Sequence, residues 1–310
     1  MKRIKKHGRR IGVILLHTLF GRIWFFRFVG WFTQLFGVQV KTVFLLYPAS
    51  EKYTLEYVYL WFAKKFKWSP ILSGFFKQNG KWGVTFAISA SEKEIRDHSN
   101  IEKLRELYQK LEQIKNLVGA DQKTFAGILP SILSSRGILD GNQSVEKETT
   151  IQAVLAAIEK TLNIEGLSKD SPIMVLGGAG FIGSGLSKIT GNKHFYYLDL
   201  SDRDNFHQFH RQYQNQPALI LNLTKKGALG EYIPLFWPEI ILINEVYPEP
   251  SRAEVAALKS KGVTCYHIAG VKAKAWPAFP RGYEGGIPCC ASFLPDKEGD
   301  DSFEVLIRKM

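Results

Sequence analysis

One stretch constrains this chain more than any other: Pro172-Ile-Met-Val-Leu-Gly-Gly-Ala-Gly-Phe-Ile-Gly-Ser-Gly185. Ile173 to Leu176 is a short apolar run of the kind that forms a buried parallel strand. It enters Gly178-x-Gly180-x-x-Gly183 directly and continues into the helix-like Leu186-Ser-Lys-Ile189. Strand, glycine turn and helix in that order are the context in which this spacing binds a dinucleotide. Each glycine has its own reason. Gly178 allows the tight turn, Gly180 lets the backbone approach a pyrophosphate, and Gly183 lets the helix pack close to the strand. The helix start offers free N–H groups and partial positive charge to phosphates, so Ala179, Phe181 and Ile182 join the glycines as cofactor-binding candidates. A second strand, His194-Phe-Tyr-Tyr-Leu-Asp-Leu200, carries Asp199 about 20 residues beyond the glycines, where a carboxylate bonds a ribose 2′-OH. Leu200 lies beside it. The alternative is a glycine-rich turn of purely structural use.

Three more buried runs follow: Ala218-Leu-Ile-Leu-Asn222, Ile240-Ile-Leu-Ile243 and Val263-Thr-Cys-Tyr-His267. The helix before the last is capped by Ser251-x-x-Glu254 and stopped by Gly262. Five strands alternating with helices predict an α/β, doubly wound parallel sheet of Rossmann type over residues 149–294. Ligands of such sheets bind beyond the carboxyl ends of the strands. The loops Asn222-Leu-Thr-Lys-Lys-Gly227, Asn244-Glu-Val-Tyr-Pro248 and Ala269-Gly-Val-Lys272 qualify, which adds Asn222, Leu223, Thr224, Lys226 and Val246 to the cofactor candidates.

Upstream, Thr42-Val-Phe-Leu-Leu-Tyr47, Trp82-Gly-Val-Thr-Phe-Ala-Ile88 and Thr124-Phe-Ala-Gly-Ile-Leu129 are strand candidates. Between them lie two helical patterns. The first is Glu56 to Phe66, with Val58, Phe62 and Phe66 on one face. The second opens with the capping box Ser99-x-x-Glu102, repeats from Ile101 to Val118, and stops at Gly119. A smaller α/β domain over 41–148 results. Asp140-Gly-Asn-Gln-Ser144 closes it, and a helix from Thr150 to Leu162 leads into the nucleotide domain. Residues 295–310 form a charged tail, loose except near Phe303 to Ile307.

The net charge is +12, and six of the positive charges fall in the first ten residues. An excess this localised suits an anionic membrane surface better than a nucleic-acid footprint. Ile11 to Val40 is crowded with Phe, Trp, Leu and Ile, but Arg22 and Arg27 leave charge-free runs shorter than the roughly 20 residues of a spanning helix. No small-x-small cleavage site follows, which argues against a signal peptide. Residues 1–40 therefore read as a basic amphipathic segment lying on a membrane, with Trp24, Phe25, Trp31 and Phe32 at the acyl boundary. Packing on the chain's own core or on another subunit is the alternative. Three cysteines, Cys265, Cys289 and Cys290, imply no disulfide framework and a reducing, cytoplasmic setting.

A small α/β domain, a connecting helix and a late fingerprint resemble the amino-acid-dehydrogenase-like enzymes, including shikimate dehydrogenase. Asn244-Glu-Val-Tyr-Pro248, with Gly262-Val-Thr-Cys-Tyr-His-Ile-Ala-Gly270, resembles the Val-Tyr-Asn-Pro region of that enzyme. The span from Leu111 to Ala291 is similar to the long-chain fatty acyl-carrier-protein reductases of cyanobacteria. There Lys226-Gly227, the Tyr247-Pro248 turn, and Cys289 followed by Ala291 find counterparts. That resemblance implies a cysteine acyl-enzyme reduced to an aldehyde by NADPH. The chain also departs from it. Ser292 stands where the reductases carry an acid, and Pro295 with a charged tail replaces a helix. Asp199 and Asp202 stand where basic residues would hold a 2′-phosphate. A carboxylate repels that phosphate, which favours NADH over NADPH.

Cys289 is the candidate nucleophile, because a thiolate both attacks a thioester and leaves when hydride arrives. A small buried hydrophobe is the plain alternative, and the more so for Cys290. Lys123, at the start of a strand, is a candidate for polarising a carbonyl; a solvated surface lysine is the alternative. His207 and His210 lack an acidic or cysteine partner nearby, so no metal site is expected. Three functions remain open. One is NADH-dependent reduction of an acyl thioester at a membrane face. The second is a shikimate-dehydrogenase-like hydride transfer on a small polar substrate. The third is a non-enzymatic nucleotide-binding membrane protein. A homo-oligomer is compatible with each.

Overall fold

The computed structural model describes residues 2–48, 51–140, 144–191, 194–199, 203–280, 282–294 and 303–310. In chain order the elements begin with α1 (Lys2–Phe20), α2 (Ile23–Phe36), β1 (Val40–Leu46), α3 (Glu51–Tyr57), α4 (Leu60–Lys65), β2 (Ile71–Gln78) and β3 (Lys81–Ala87). Then come α5 (Glu92–Arg96), α6 (Ile101–Val118), β4 (Gln122–Phe125), α7 (Leu129–Ser135) and α8 (Val145–Glu165). The nucleotide-type region carries β5 (Ile173–Leu176), α9 (Gly183–Thr190), β6 (Phe195–Leu198), α10 (Arg203–Tyr213), β7 (Ala218–Asn222) and α11 (Leu229–Tyr232). β8 (Ile240–Asn244), α12 (Arg252–Ser260), β9 (Thr264–Lys272), β10 (Lys274–Trp276), β11 (Gly286–Ile287) and β12 (Val305–Lys309) complete the chain. Two compact units result: residues 1–146 with 272–303, and residues 147–271 with 304–310.

In the first unit the sheet order is β10-β2-β3-β1-β4. β1 runs parallel to β3 and β4, while β2 is antiparallel to both β3 and β10. β2 and β3 form a hairpin whose turn residues Asn79 and Gly80 both have positive φ, 49° and 80°. That turn matches the right-handed twist of the strands it joins. Leu45, Leu72, Phe86, Leu104, Phe125 and Leu129 make the core, and Leu16 and Phe26 enter it from the N-terminal helices. α1 and α2 are therefore part of this unit rather than a separate segment. Gly30 lets α2 lie against α6 so closely that an added Cβ would overlap the Leu117 carbonyl oxygen. His17 fixes α1, its Nδ1 accepting the Leu72 N–H at 3.2 Å. No single described helix is long and apolar enough to cross a membrane; Lys6–Phe20 and Ile23–Phe36 reach that length together, with an 81° bend between them.

The structure departs from the sequence-based expectations at several elements. The pattern from Glu56 to Phe66 is split into α3 and α4. The third strand stops at Phe125, and Gly127 at φ 58° turns the chain into α7. Ser99 lies in a 3₁₀ turn whose cap is Asp97, and the capping box sits earlier, at Ser91 and Glu94. Residues 272–294, expected in the nucleotide domain, belong to the first unit. β10 pairs with β2, and Gln78 holds Phe293 through its Oε1, which accepts the Phe293 N–H at 3.0 Å. Ile287, Ala291 and Phe293 pack on Phe44 and Phe76. Gly141 to Gln143, Leu200, Asp202, Arg281 and the tail residues 295–302 lie outside the described residues.

The second unit carries the doubly wound sheet, in the order β6-β5-β7-β8-β9, with β12 antiparallel against β9. The first five strands are parallel. β5, β7 and β8 are buried along their whole length, as apolar runs covered on both faces should be, with Asn222 and Asn244 closing the last two. Met174, Leu176, Ile220 and Leu242 share one face with Phe206, Phe209, Tyr232 and Leu258 of α10, α11 and α12. The strand order reverses between β5 and β7, the place where such sheets open a crevice. The capping box at Ser251 and Glu254 stands where the sequence put it.

Burial, assisted by the Arg22 charge, holds His17 below its ordinary pKa of 6.5. The folded chain prefers the neutral ring, so the unfolded chain binds the proton first as pH falls. The stability this contributes is present above about pH 6.5 and lost below it. Between about pH 7 and about pH 5, the melting temperature of the native protein should fall more steeply than that of His17→Gln. Parallel slopes would mean that the ring does not anchor α1.

Candidate functional site

The site forms at the strand-order reversal. β5 ends because Gly177 takes φ 90°, a conformation side chains rarely adopt. A Cβ there would lie 2.8 Å from the Leu223 carbonyl oxygen and 3.1 Å from the Thr224 nitrogen. Gly177 thus turns the chain and admits the loop after β7, whose Leu223 N–H donates to the Leu176 carbonyl at 2.9 Å. The tight turn had been assigned to Gly178. Gly178 instead avoids β6, because its Cβ would come 2.8 Å from Tyr197 Cβ. Gly183 lets α9 start against the turn itself: a Cβ would overlap the Gly177 oxygen and approach the Gly178 oxygen to 2.7 Å. Gly180 differs. It is exposed, like Ala179, and an added Cβ would meet only the Gly177 oxygen closely, at 3.0 Å.

The amides of the turn divide into two sets. Those of Gly177 and Gly178 donate to the Leu198 carbonyl at 2.7 and 2.8 Å, and that of Gly180 donates to Gly177 at 3.1 Å. Ala179 N–H donates to Asp199 Oδ2 at 2.9 Å. Phe181, Ile182 and Gly183 keep N–H groups with no acceptor among the described residues. Three open amides at a helix start favour an anion through both hydrogen bonding and the helix dipole. The Asp199 carboxylate, just after β6, reaches this turn through Oδ2 and leaves its second oxygen available to a hydroxyl. α8 brings a cation, Lys147, that carries no motif signal in the sequence. It crosses α9 at Gly185, where an added Cβ would lie 2.6 Å from Lys147 Cε. Lys147 Nζ stands 4.9 Å from the Phe181 ring centroid, and burial together with the Lys188 charge lowers its pKa.

The loops after β7 and β8 are braced from within. Asn222, Asn244 and His267 share one register row and are all buried. Asn222 Oδ1 accepts from Thr224 Oγ1 at 2.6 Å and from Thr224 N–H at 3.2 Å, while its Nδ2 donates to Asn244 Oδ1 at 2.7 Å. Asn244 Nδ2 donates to the Val246 carbonyl at 2.8 Å and lies 3.0 Å from His267 Nδ1. Asn222 and Val246, expected as cofactor contacts, are engaged in this brace; Lys226 is exposed on its loop. Ala269 to Lys272, expected as a third loop, runs inside β9. Asn244 and His267 had no chemical role in the sequence reading, although a polar residue closing an apolar run was their visible signal. Glu245 follows Asn244 and donates its N–H to the Asn222 carbonyl at 3.2 Å. Burial pushes its carboxyl up to about 7. A carboxyl that changes charge near neutrality is suited to giving or taking a proton.

The other two catalytic candidates lie in the first unit. Cys289 is buried at the start of a 3₁₀ turn, its carbonyl accepting Ser292 Oγ at 2.6 Å. Lys123 is at the amino end of β4, paired with Glu112 and 3.8 Å from the Tyr108 ring centroid. Hydrogen bonds from Lys115 and Lys123 hold Glu112 below the usual carboxylate range. The Lys123 charge is thus taken up by its own domain rather than left facing a cleft. His207 is exposed on α10, and His210 packs edge-on to Trp237 at 5.3 Å.

No family model matches this chain, and no curated protein does. Among solved structures it is similar to L-tryptophan dehydrogenase from Nostoc punctiforme, at 14% identity and a TM-score of 0.33, covering 73% of this chain and 68% of that one. It is also similar to a shikimate dehydrogenase in complex with NADP+, at 10% identity and 0.38, covering 74% and 84%. A putative LacI transcriptional regulator from Bacteroides fragilis follows at 11% identity and 0.32, covering 86% and 97%. Similarity this shallow carries no functional argument, and it takes in a regulator as well as two dehydrogenases. None of the three is an acyl reductase.

The glycines predict two different failures. Gly180→Val should keep the fold, as read by circular dichroism and melting, and, where the turn seats a dinucleotide, weaken that binding by at least roughly tenfold, about 1.4 kcal/mol. Gly183→Ala should instead lower stability by roughly 1–3 kcal/mol through overlap with fixed carbonyls. Equal melting temperatures for the two variants would contradict this division.

Proposed function

We propose that this protein is an NADH-dependent oxidoreductase that exchanges hydride directly with a small-molecule substrate. The observation that carries the proposal is the turn at Gly177–Gly183, which leaves amides open at the start of α9 and is bonded through the Ala179 N–H to the carboxylate of Asp199, just after β6. The residues fit a dinucleotide. Gly180 leaves the space a pyrophosphate needs, the amides of Phe181, Ile182 and Gly183 donate to it, and Lys147 adds positive charge beside Phe181. Asp199 accepts a ribose hydroxyl with its free oxygen and repels a 2′-phosphate.

NADH held on this turn by the open amides and Asp199 would supply the hydride. The chain must supply the proton, and Glu245 is the group we assign to that task. Burial pushes its carboxyl up to about 7, so its protonated form is the major one only below that value. Reduction should therefore be supported below that value and decline above it. A covalent acyl-enzyme at Cys289 would need a thiol open to substrate, and burial opposes that.

Titration of the unmodified chain should show NADH bound more tightly than NADPH, with the preference narrowed in Asp199→Ala; tighter NADPH binding would overturn the assignment of Asp199. Incubation with an acyl-coenzyme A thioester, followed by mass spectrometry, should find no acyl group on Cys289. An adduct there would move the mechanism to the covalent route. Once a substrate is in hand, Glu245→Gln should lose the fall in reduction rate near about pH 7, and an unchanged pH profile would remove Glu245 from the reaction.

A further inference from the structure

α2 is built inside out. Its inward face is Phe26, Gly30 and Thr33, and this side is already packed on the first unit, Phe26 in its core and Gly30 against the Leu117 carbonyl of α6, while Thr33 Oγ1 donates within the helix to the Gly30 carbonyl at 2.9 Å. The bulky side chains point the other way. Trp24 is 63% exposed, Trp31 58%, Leu35 60% and Phe36 62%, with Phe28 and Phe32 between them. The rings form a connected surface: Phe28 and Phe32 are 6.1 Å apart between centroids, Phe32 and Phe36 4.4 Å. Phe20 meets Phe25 at 4.8 Å, so the end of α1 joins the same strip. α1 adds its own outward line of Ile11, Leu15 and Leu19, spaced one helical turn apart. Apart from Phe25, which also packs on the core, these side chains are exposed, and contiguous exposed apolar area of this kind marks an interaction site.

We propose that the outward faces of α1 and α2 dock the protein on an anionic lipid bilayer, lying in its interfacial plane. Charge decides the partner. The first fifty residues contain nine Lys and Arg and no Asp or Glu. Lys6 is paired with Glu56 at 2.6 Å and Arg10 donates to the Leu55 carbonyl, so those two serve the fold. Arg22, at the bend, and Arg27, within the aromatic strip, are exposed. Two guanidinium groups set among Trp and Phe match lipid phosphates above an acyl boundary. A second copy of this chain is disfavoured, because two such faces would bring like charges together with no carboxylate between them. Spanning is disfavoured too: α2 has one face on α6, and α1 leaves it at 81°.

The test uses the full chain, since removing residues 1–40 would also remove Leu16 and Phe26 from the core. The protein is sedimented with phosphatidylcholine vesicles, with and without phosphatidylserine. Binding should require phosphatidylserine and weaken with salt. Trp31→Glu with Leu35→Glu should cut binding by roughly tenfold or more, with melting unchanged. Arg22→Gln and Arg27→Gln should each cost about fivefold. The proposal is overturned if the native chain stays in the supernatant, if the aromatic variants bind undiminished, or if the native chain is a dimer that Trp31→Glu dissociates.

Discussion

The second unit depends on one close contact, between the missing side chain of Gly183 and the carbonyl oxygens of Gly177 and Gly178. Because nothing projects from Gly183, α9 begins directly on the turn that ends β5. Gly177 does the same for the loop after β7, and Gly178 for β6. Three backbone approaches thus converge on a few residues. The amides left open at the head of α9 and the carboxylate of Asp199 are brought together by those approaches, not by side-chain packing. Gly180 has a single such neighbour, the Gly177 oxygen at 3.0 Å from an added Cβ, and it is the exposed glycine of the four.

Around this turn the chain adds fixed polar groups. Asn222 and Asn244 tie the loops after β7 and β8 to one another, with His267 behind them. Buried amides that satisfy each other in this way hold loops in one arrangement, since breaking any link leaves a desolvated donor or acceptor. Lys147 reaches the turn only because Gly185 lets α8 cross α9 closely. Glu245 stands next to the brace, where burial raises its pKa. The first unit is organised differently, around the β2–β3 hairpin and the late segment that returns to add β10.

What the sequence disclosed follows from the range of the forces involved. The strand, turn and helix of residues 173–190 were legible because glycine spacing and an apolar run are local signals. So was the long helix α6, stopped by Gly119 in the left-handed conformation. The hairpin at Asn79-Gly80 carried a local signal that went unread, hidden because Ile71 to Gln78 does not alternate cleanly between apolar and polar residues. The return of residues 272–294 to the first unit was not legible: it depends on Gln78 meeting Phe293 across more than half the chain. The Lys147 cation and the Glu245 pKa likewise arise from tertiary burial. Trp24 and Trp31 were visible as an aromatic cluster. Only the fold shows that their side of α2 is the outer one, because Gly30 fixes the inner.

The proposed dinucleotide site joins the turn, the brace and Asp199, and every other step proposed for this protein depends on it. Calorimetric titration of the full chain with NADH tests it most directly. The account predicts saturable binding with one site per chain, competed by ADP-ribose, which carries the pyrophosphate and ribose but no nicotinamide. Absence of saturable binding for both NADH and NADPH, in a chain that melts cooperatively, would contradict it.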